Sequence, residues 1–166
     1  MRWIWIDDFV EFESGRRASA IKNITLAEEH LHDHFPGYPI MPACLLIEGM
    51  AQTAGILVGE ARGFAENVIL AKIRKAEFEG YAVPGDQIRF DAVLETIDER
   101  AAATTGSVLK NGARMGSVDL MFSHVNQSEK PVDLPDHNFV FTDQFLNLLD
   151  GFRTRCGLGS PPAYGS

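Results

Sequence analysis

Cysteine is almost missing from this chain. Cys44 and Cys156 lie far apart and outside any CxxC spacing, so neither a disulfide framework nor a zinc ribbon is expected, and a reducing cytoplasm suits both thiols. Positive charge is short as well: 15 Lys and Arg stand against 23 Asp and Glu, a formal net charge of −8. A nucleic-acid surface needs clustered cations facing phosphates. Here the bases are interspersed with acids, which argues against that class, and an acidic phosphate-bearing ligand would need a local basic patch. No apolar run approaches the roughly 20 residues of a bilayer span. The start, MRWIWIDDFVEF, meets Asp7 and Asp8 before a signal-peptide core could form. A soluble, unprocessed chain with no membrane partner is the expectation. Its 166 residues suit one compact domain with a real core.

What is present is strongly patterned. Residues 3–13 and 17–25 alternate and are β-branched, with ESGRR between them as a glycine turn, so a hairpin is expected. Pro36, Pro39 and Pro42 recur every third position, each setting φ and removing an amide donor, so residues 26–42 read as a stiff, irregular loop that delivers His34 to a defined place. From Ala43 to about Arg62 no proline occurs, and a helix is expected with Pro42 at its first turn. Its only polar residues before Glu60 are Glu48, Gln52 and Thr53, and a helix so apolar is normally enclosed. Gly49, Gly55 and Gly59, each costing about 1 kcal/mol against alanine inside a helix, point to something packed close to its backbone, such as a curved sheet. Residues 67–79 and 87–98 alternate around the turn YAVPGD, and Asn111-Gly112 joins two further strands. Two strands, a buried helix and about four strands in an antiparallel meander are therefore expected. Residues 126–137 read as a linker and GLGSPPAYGS as a frayed end. Between them Thr142 or Asp143 can cap a helix whose Phe145, Leu148, Leu149 and Phe152 form one apolar stripe.

Three groups can carry chemistry. Glu48 lies in the second turn of the apolar helix, with Gln52 one turn on along the same face. Burial penalises a charged carboxyl, so a glutamic acid in this setting is expected to stay protonated and to donate its proton; the plainer alternative is a structural pin held by Gln52. His34 tips that balance, because an imidazole titrates near neutral pH and, beside a carboxylic acid, completes the pair needed to remove a Cα proton and expel a β-hydroxyl. The open amides of Ala43 and Cys44 at the helix start offer charge relief to a thioester oxygen. Cys44 as a nucleophile is the lesser reading beside that of a small apolar filler. HLHDH at residues 30–34 gathers His30, His32, His34 and Asp33 as metal ligands might be, but the spacing falls one residue short of HxHxDH, and the histidines can equally alternate along an extended stretch. No metal is expected.

The stretch HFPGYPIMPACLLIEGMAQTAGIL, with SGRRASAIKNIT before it and VPGDQIRF after it, strongly resembles the 3-hydroxyacyl-[acyl-carrier-protein] dehydratases of bacterial fatty acid synthesis. The resemblance runs from about residue 4 to residue 125. It implies an α+β hot-dog fold, a long central helix wrapped by a curved antiparallel sheet of about five to six strands, over residues 1–125, with residues 126–166 as a C-terminal extension. It further implies at least a homodimer, with His34 of one subunit meeting Glu48 of the other beside an acyl tunnel; many members assemble further, as trimers of dimers. His34 would act on the Cα proton and Glu48 on the departing hydroxyl. Ala43 stands where the family usually has a glycine amide, with Gly37, Pro42 and Gln52 in support.

The activity so implied is dehydration of 3-hydroxyacyl thioesters to trans-2-enoyl thioesters in the cytoplasm. No cofactor is needed beyond the phosphopantetheine that the substrate brings, on acyl carrier protein or coenzyme A. A noncatalytic hot-dog acyl-binding or scaffold subunit and a hot-dog acyl thioesterase are the alternatives. Several positions depart from the family. HLHD replaces the usual phenylalanine pair and glycine before the histidine, and EFEG at residues 77–80 reverses the basic charge that commonly meets the carrier, with Lys72, Arg74 and Lys75 nearby. MPAC is similar to the MPGC of decanoyl dehydratase-isomerases, which carry Asp where this chain has Glu48.

Overall fold

The structure, a computed structural model, describes residues 4–125 and 137–155. In chain order it contains β1 (Asp8–Glu13), β2 (Arg17–Asn23), α1 (His30–Asp33), α2 (Ala43–Ala61), β3 (Asn67–Phe78), β4 (Gln87–Ile97), β5 (Ala101–Lys110), β6 (Ala113–Val125) and α3 (Asp143–Arg155). All six strands join one sheet, every neighbouring pair antiparallel, in the order β1-β2-β4-β5-β6-β3. Alternation sets the faces: along β5 the buried positions recur at every second residue, the period of a strand with one face on a core. Asn111 and Gly112 join β5 to β6 with φ of 51° and 84°, the left-handed pair that a tight hairpin turn of this hand requires.

The sheet wraps α2. Leu46, Met50, Ala54, Leu57 and Val58 are buried along it and share one apolar cluster with Ile88, Phe90, Val108 and Leu120 of the sheet. Each such side chain, fully buried, stabilises by about 1.5–3 kcal/mol. The Phe90 ring occupies the space a Cβ on Gly49 would need, and the Phe141 ring does the same at Gly59. That is the close approach which the helix glycines announced. Thr53 is completely buried and satisfies its hydroxyl by donating to the Gly49 carbonyl at 2.7 Å. By length and composition alone, the nineteen residues of α2 could cross a membrane, which amends the expectation of no such run. Just over half of its residues are buried in the fold, 56% of the apolar window.

Four sequence expectations change. Residues 26–42 are not irregular throughout, because α1 makes one helical turn in front of His34, so the histidines do not alternate along an extended strand. The first strand begins at Asp8 rather than residue 3. β3 does not neighbour β4, so the meander holds only for β4, β5 and β6, while β3 crosses over to the far edge beside β6. In the last helix Phe145, Leu149 and Phe152 are buried, but Leu148 is 40% exposed.

Residues 137–155 lie against the rest of the fold. The Asn138 side chain donates to the Phe64 and Glu66 carbonyls at 3.1 and 3.3 Å, and the Asn67 side-chain oxygen accepts from the Phe139 and Val140 amides. Thr142 caps α3, its hydroxyl accepting from the Phe145 amide at 3.4 Å. Arg153 pairs with Glu60 at 3.3 Å, and Arg155 forks onto the Asp8 carboxylate with two contacts of 3.0 Å. The expected linker over 126–137 lies almost wholly outside the described residues, as do Cys156 and the frayed end.

Candidate active site

His34 follows α1 and opens a short closed loop. The Tyr38 amide donates to the Phe35 carbonyl at 2.9 Å, with Pro36 and Gly37 between them and Gly37 at φ 77°. That is the residue pair a type II turn selects, proline first and glycine where φ must be positive. The Ile40 amide returns to the His34 carbonyl at 2.8 Å, and the Met41 amide reaches the Ala82 carbonyl at 2.8 Å, tying the loop to the turn before β4. The imidazole Nδ1 lies 2.8 Å from the Ile40 carbonyl oxygen. A carbonyl only accepts, so Nδ1 carries a proton, and in the neutral tautomer so selected Nε2 is the nitrogen left to act as a base.

The other residues of HLHDH go elsewhere. His32 contacts the Leu26 carbonyl through Nε2 at 3.0 Å, and His30 sits 5.4 Å from the Trp5 ring. Burial holds His30 below the usual imidazole range; the Glu28 carboxylate opposes this, while the charges of Lys22 and His34 add to it. The three imidazoles therefore face three different partners. Among the described residues no group of three or more His, Cys, Asp or Glu side chains is placed to hold a metal.

The start of α2 has Pro42 as its N-cap with no side-chain cap. The first amides of a helix have no partner within it. Ala43 lines the same cavity as His34, about 510 Å³ in volume, together with Met41, Leu46 and Phe78. Cys44 is exposed beside it. Phe35, Tyr38 and Tyr81 surround the region with aromatic surface, each more than half exposed.

Glu48 is half-buried on the next turn of α2. Its Oε1 accepts from Gln52 Nε2 at 2.8 Å, while Gln52 Oε1 accepts from the Trp5 amide at 2.7 Å. Glu48 and Gln52 line a second cavity of about 160 Å³, whose walls include Gly55, Phe122, Val140 and Phe141. Within one chain, then, the structure joins His34 to Ala43 and Glu48 to Gln52, but the two pairs line different cavities. The Trp5 amide and residues 140 and 141 have no signature in the sequence, because their part in the site depends on where distant segments come to rest.

A family model described as a FabA-like domain matches residues 4–117. The chain belongs to this FabA-like family. Among curated relatives, it is 33% identical over 122 residues to the 3-hydroxyacyl-[acyl-carrier-protein] dehydratase FabZ of Pelotomaculum thermopropionicum, covering 73% of this chain and 87% of that one. It is 32% identical over 136 residues to the FabZ of Solibacter usitatus, covering 81% of this chain and 83% of that one. Solved structures share the fold. One is the dehydratase heterocomplex ApeI:P of Xenorhabdus doucetiae, with a TM-score of 0.64 at 17% identity, covering 76% of this chain and 86% of that one. Another is a Streptococcus mutans protein solved with acetyl CoA bound, with a TM-score of 0.61 at 12% identity, covering 76% and 94%. The FabA-like chain thus has the hot-dog architecture of a sheet wrapped round one helix, α+β in class.

Proposed function

We infer that this FabA-like protein is a 3-hydroxyacyl-[acyl-carrier-protein] dehydratase, forming trans-2-enoyl thioesters in fatty acid synthesis. The observation that carries the mechanism is the bond from His34 to the Ile40 carbonyl, which leaves Nε2 as a base beside the open helix start. His34 removes the Cα proton, the Ala43 and Cys44 amides hold the thioester oxygen as negative charge grows on it, and the C=C bond forms. Glu48, positioned by Gln52, gives its proton to the β-hydroxyl as the C–O bond breaks, and water leaves. No metal or organic cofactor enters these steps, and the phosphopantetheine arrives with the substrate.

The pair must come from two copies of the chain. In support, one chain sets His34 and Glu48 in separate cavities, and the face of α2 bearing Cys44, Ile47, Glu48, Ala51 and Gly55 is left partly open. β3 is an edge strand on which Leu70 and Ile73 are 37% and 45% exposed, a surface suited to pairing with a second β3. A homodimer meets both needs, and trimers of dimers are compatible with it. For an acidic carrier protein, the exposed cations of β3 are Lys72, Arg74 and Lys75, of which Lys75 already pairs with Glu77 at 2.9 Å. On this reading the work is done in the cytoplasm, where an exposed thiol such as Cys44 stays reduced.

Hydration of an enoyl thioester, followed by loss of its absorbance, tests the reading. His34→Ala and Glu48→Gln should each lower kcat by about 10²–10⁴. Equal rates in all three proteins would reject the assigned roles. Release of free thiol would reveal a thioesterase, and tight acyl-pantetheine binding without turnover would reveal a scaffold.

A further inference from the structure

The cavity beside Glu48 is walled in part by residues that the family match does not include. It follows α2 from Glu48 past Gln52 to Gly55, between that helix and the Val68, Leu70 and Phe122 side chains of β3 and β6, and it meets Val140 and Phe141. Both lie beyond residue 117, where the match to the FabA-like domain ends. We propose that Val140 and Phe141 form the floor of the acyl pocket and limit the length of the acyl chain this protein takes, an inference that rests on the reading of the site as an acyl-thioester site.

Three observations make the floor a fixed one. Phe141 is only 5% exposed and rests on Gly59, where an added Cβ would come 2.5 Å from its ring. Its ring centroid lies 4.8 Å from that of Phe64 and 5.6 Å from that of Phe145. Its amide donates to the Asn138 side chain at 2.8 Å, and the Val140 amide donates to Asn67 and Asn138 at 3.2 and 3.1 Å. The asparagine contacts hold the backbone of the segment, and packing against Gly59, Phe64 and Phe145 holds the ring. The volume sets the length. The cavity measures about 160 Å³, comparable to the ~150 Å³ apolar cavity that takes up benzene, a ligand of six carbons. With C1, Cα and Cβ held at the helix start, His34 and Glu48, a tail of about six further carbons fills it, and additional methylenes meet the Phe141 ring.

Calorimetric titration of hexanoyl-, decanoyl- and hexadecanoyl-pantetheine into the full chain tests the floor, with Phe141→Ala and Val140→Phe beside the wild type. The wild type should bind decanoyl more tightly than hexanoyl and gain nothing from hexadecanoyl. Phe141→Ala should raise the hexadecanoyl-to-decanoyl affinity ratio at least about tenfold, since each methylene newly admitted to apolar surroundings is worth about fourfold. Val140→Phe should lower the decanoyl-to-hexanoyl ratio. Should circular dichroism show that Phe141→Ala does not fold, the Val140→Phe ratio decides. Unchanged ratios in the folded variants, wild-type affinity that climbs through hexadecanoyl, or no binding of any of the three would overturn the proposal. Enoyl hydration is measured on the same preparations: a length cut-off in binding without hydration sinks the dehydratase reading alone, and hydration without a cut-off sinks only the floor.

Discussion

Gln52 joins two distant parts of the chain through one amide group. The Trp5 N–H can only donate, so it claims the Gln52 oxygen at 2.7 Å, and the amide nitrogen is thereby turned toward Glu48 at 2.8 Å. The carboxyl is thus held in place by the neighbouring amide. Gln52→Leu fits a similar space but removes both bonds, leaving a buried backbone donor unmet at a cost of about 1–3 kcal/mol. Thermal unfolding should register that loss, and kcat should fall, because the group misplaced is the proton donor. A variant with unchanged kcat would show that Glu48 needs no such support. From sequence the Glu48–Gln52 pair follows from helical periodicity alone. The Trp5 amide does not, since nothing local relates residue 5 to residue 52.

On the scale of the element, α2 is shaped by what presses on it. Gly49 is in contact with the Phe90 ring, whereas a Cβ on Gly55 would stand 3.4 Å from Phe122, an ordinary contact. Gly49→Ala should therefore cost about 1–3 kcal/mol by overpacking, and Gly55→Ala should be neutral or gain up to about 1 kcal/mol of helix propensity. Thermal melts of the two variants check the contrast, and equal effects would contradict the packing. The helix itself is legible because a proline-free apolar run flanked by Pro42 permits little else. Its glycines reveal that something approaches closely. They do not say which ring, because Phe90 and Phe141 arrive from β4 and from beyond the described strands. The one-turn α1 escapes a reading based on proline spacing, since its four residues precede the first proline of the series.

For the whole molecule, the unpaired edge of β3 and the partly open face of α2 should bring two copies together. Ile73→Lys places a charge on the exposed apolar edge, a device that edge strands use against pairing. Light scattering on eluting protein should find a dimer for the wild type and a shift toward monomer for the variant, with enoyl hydration falling in parallel. A variant that keeps the dimer mass would move the contact elsewhere. Sheet order is where local reading reaches its limit: alternation marks β3 and β4 as strands, but not as strands that never touch. Whether consecutive strands pair depends on the crossing of the sheet around α2, and that crossing depends on every other strand.

Local pattern alone marked the six strands and the two longer helices, indicated that one apolar helix would pack against a sheet, and singled out an imidazole and a carboxyl as the candidate groups. Each of these follows from residue type and short spacing, where sterics and burial act within a few positions. Only tertiary structure decided that β3 lies at the sheet edge beside β6, that Ile40 sets the His34 tautomer, and that Phe141 helps to wall the cavity beside Glu48. Those outcomes join residues far apart along the chain, and their partners are selected by the packing of the whole core.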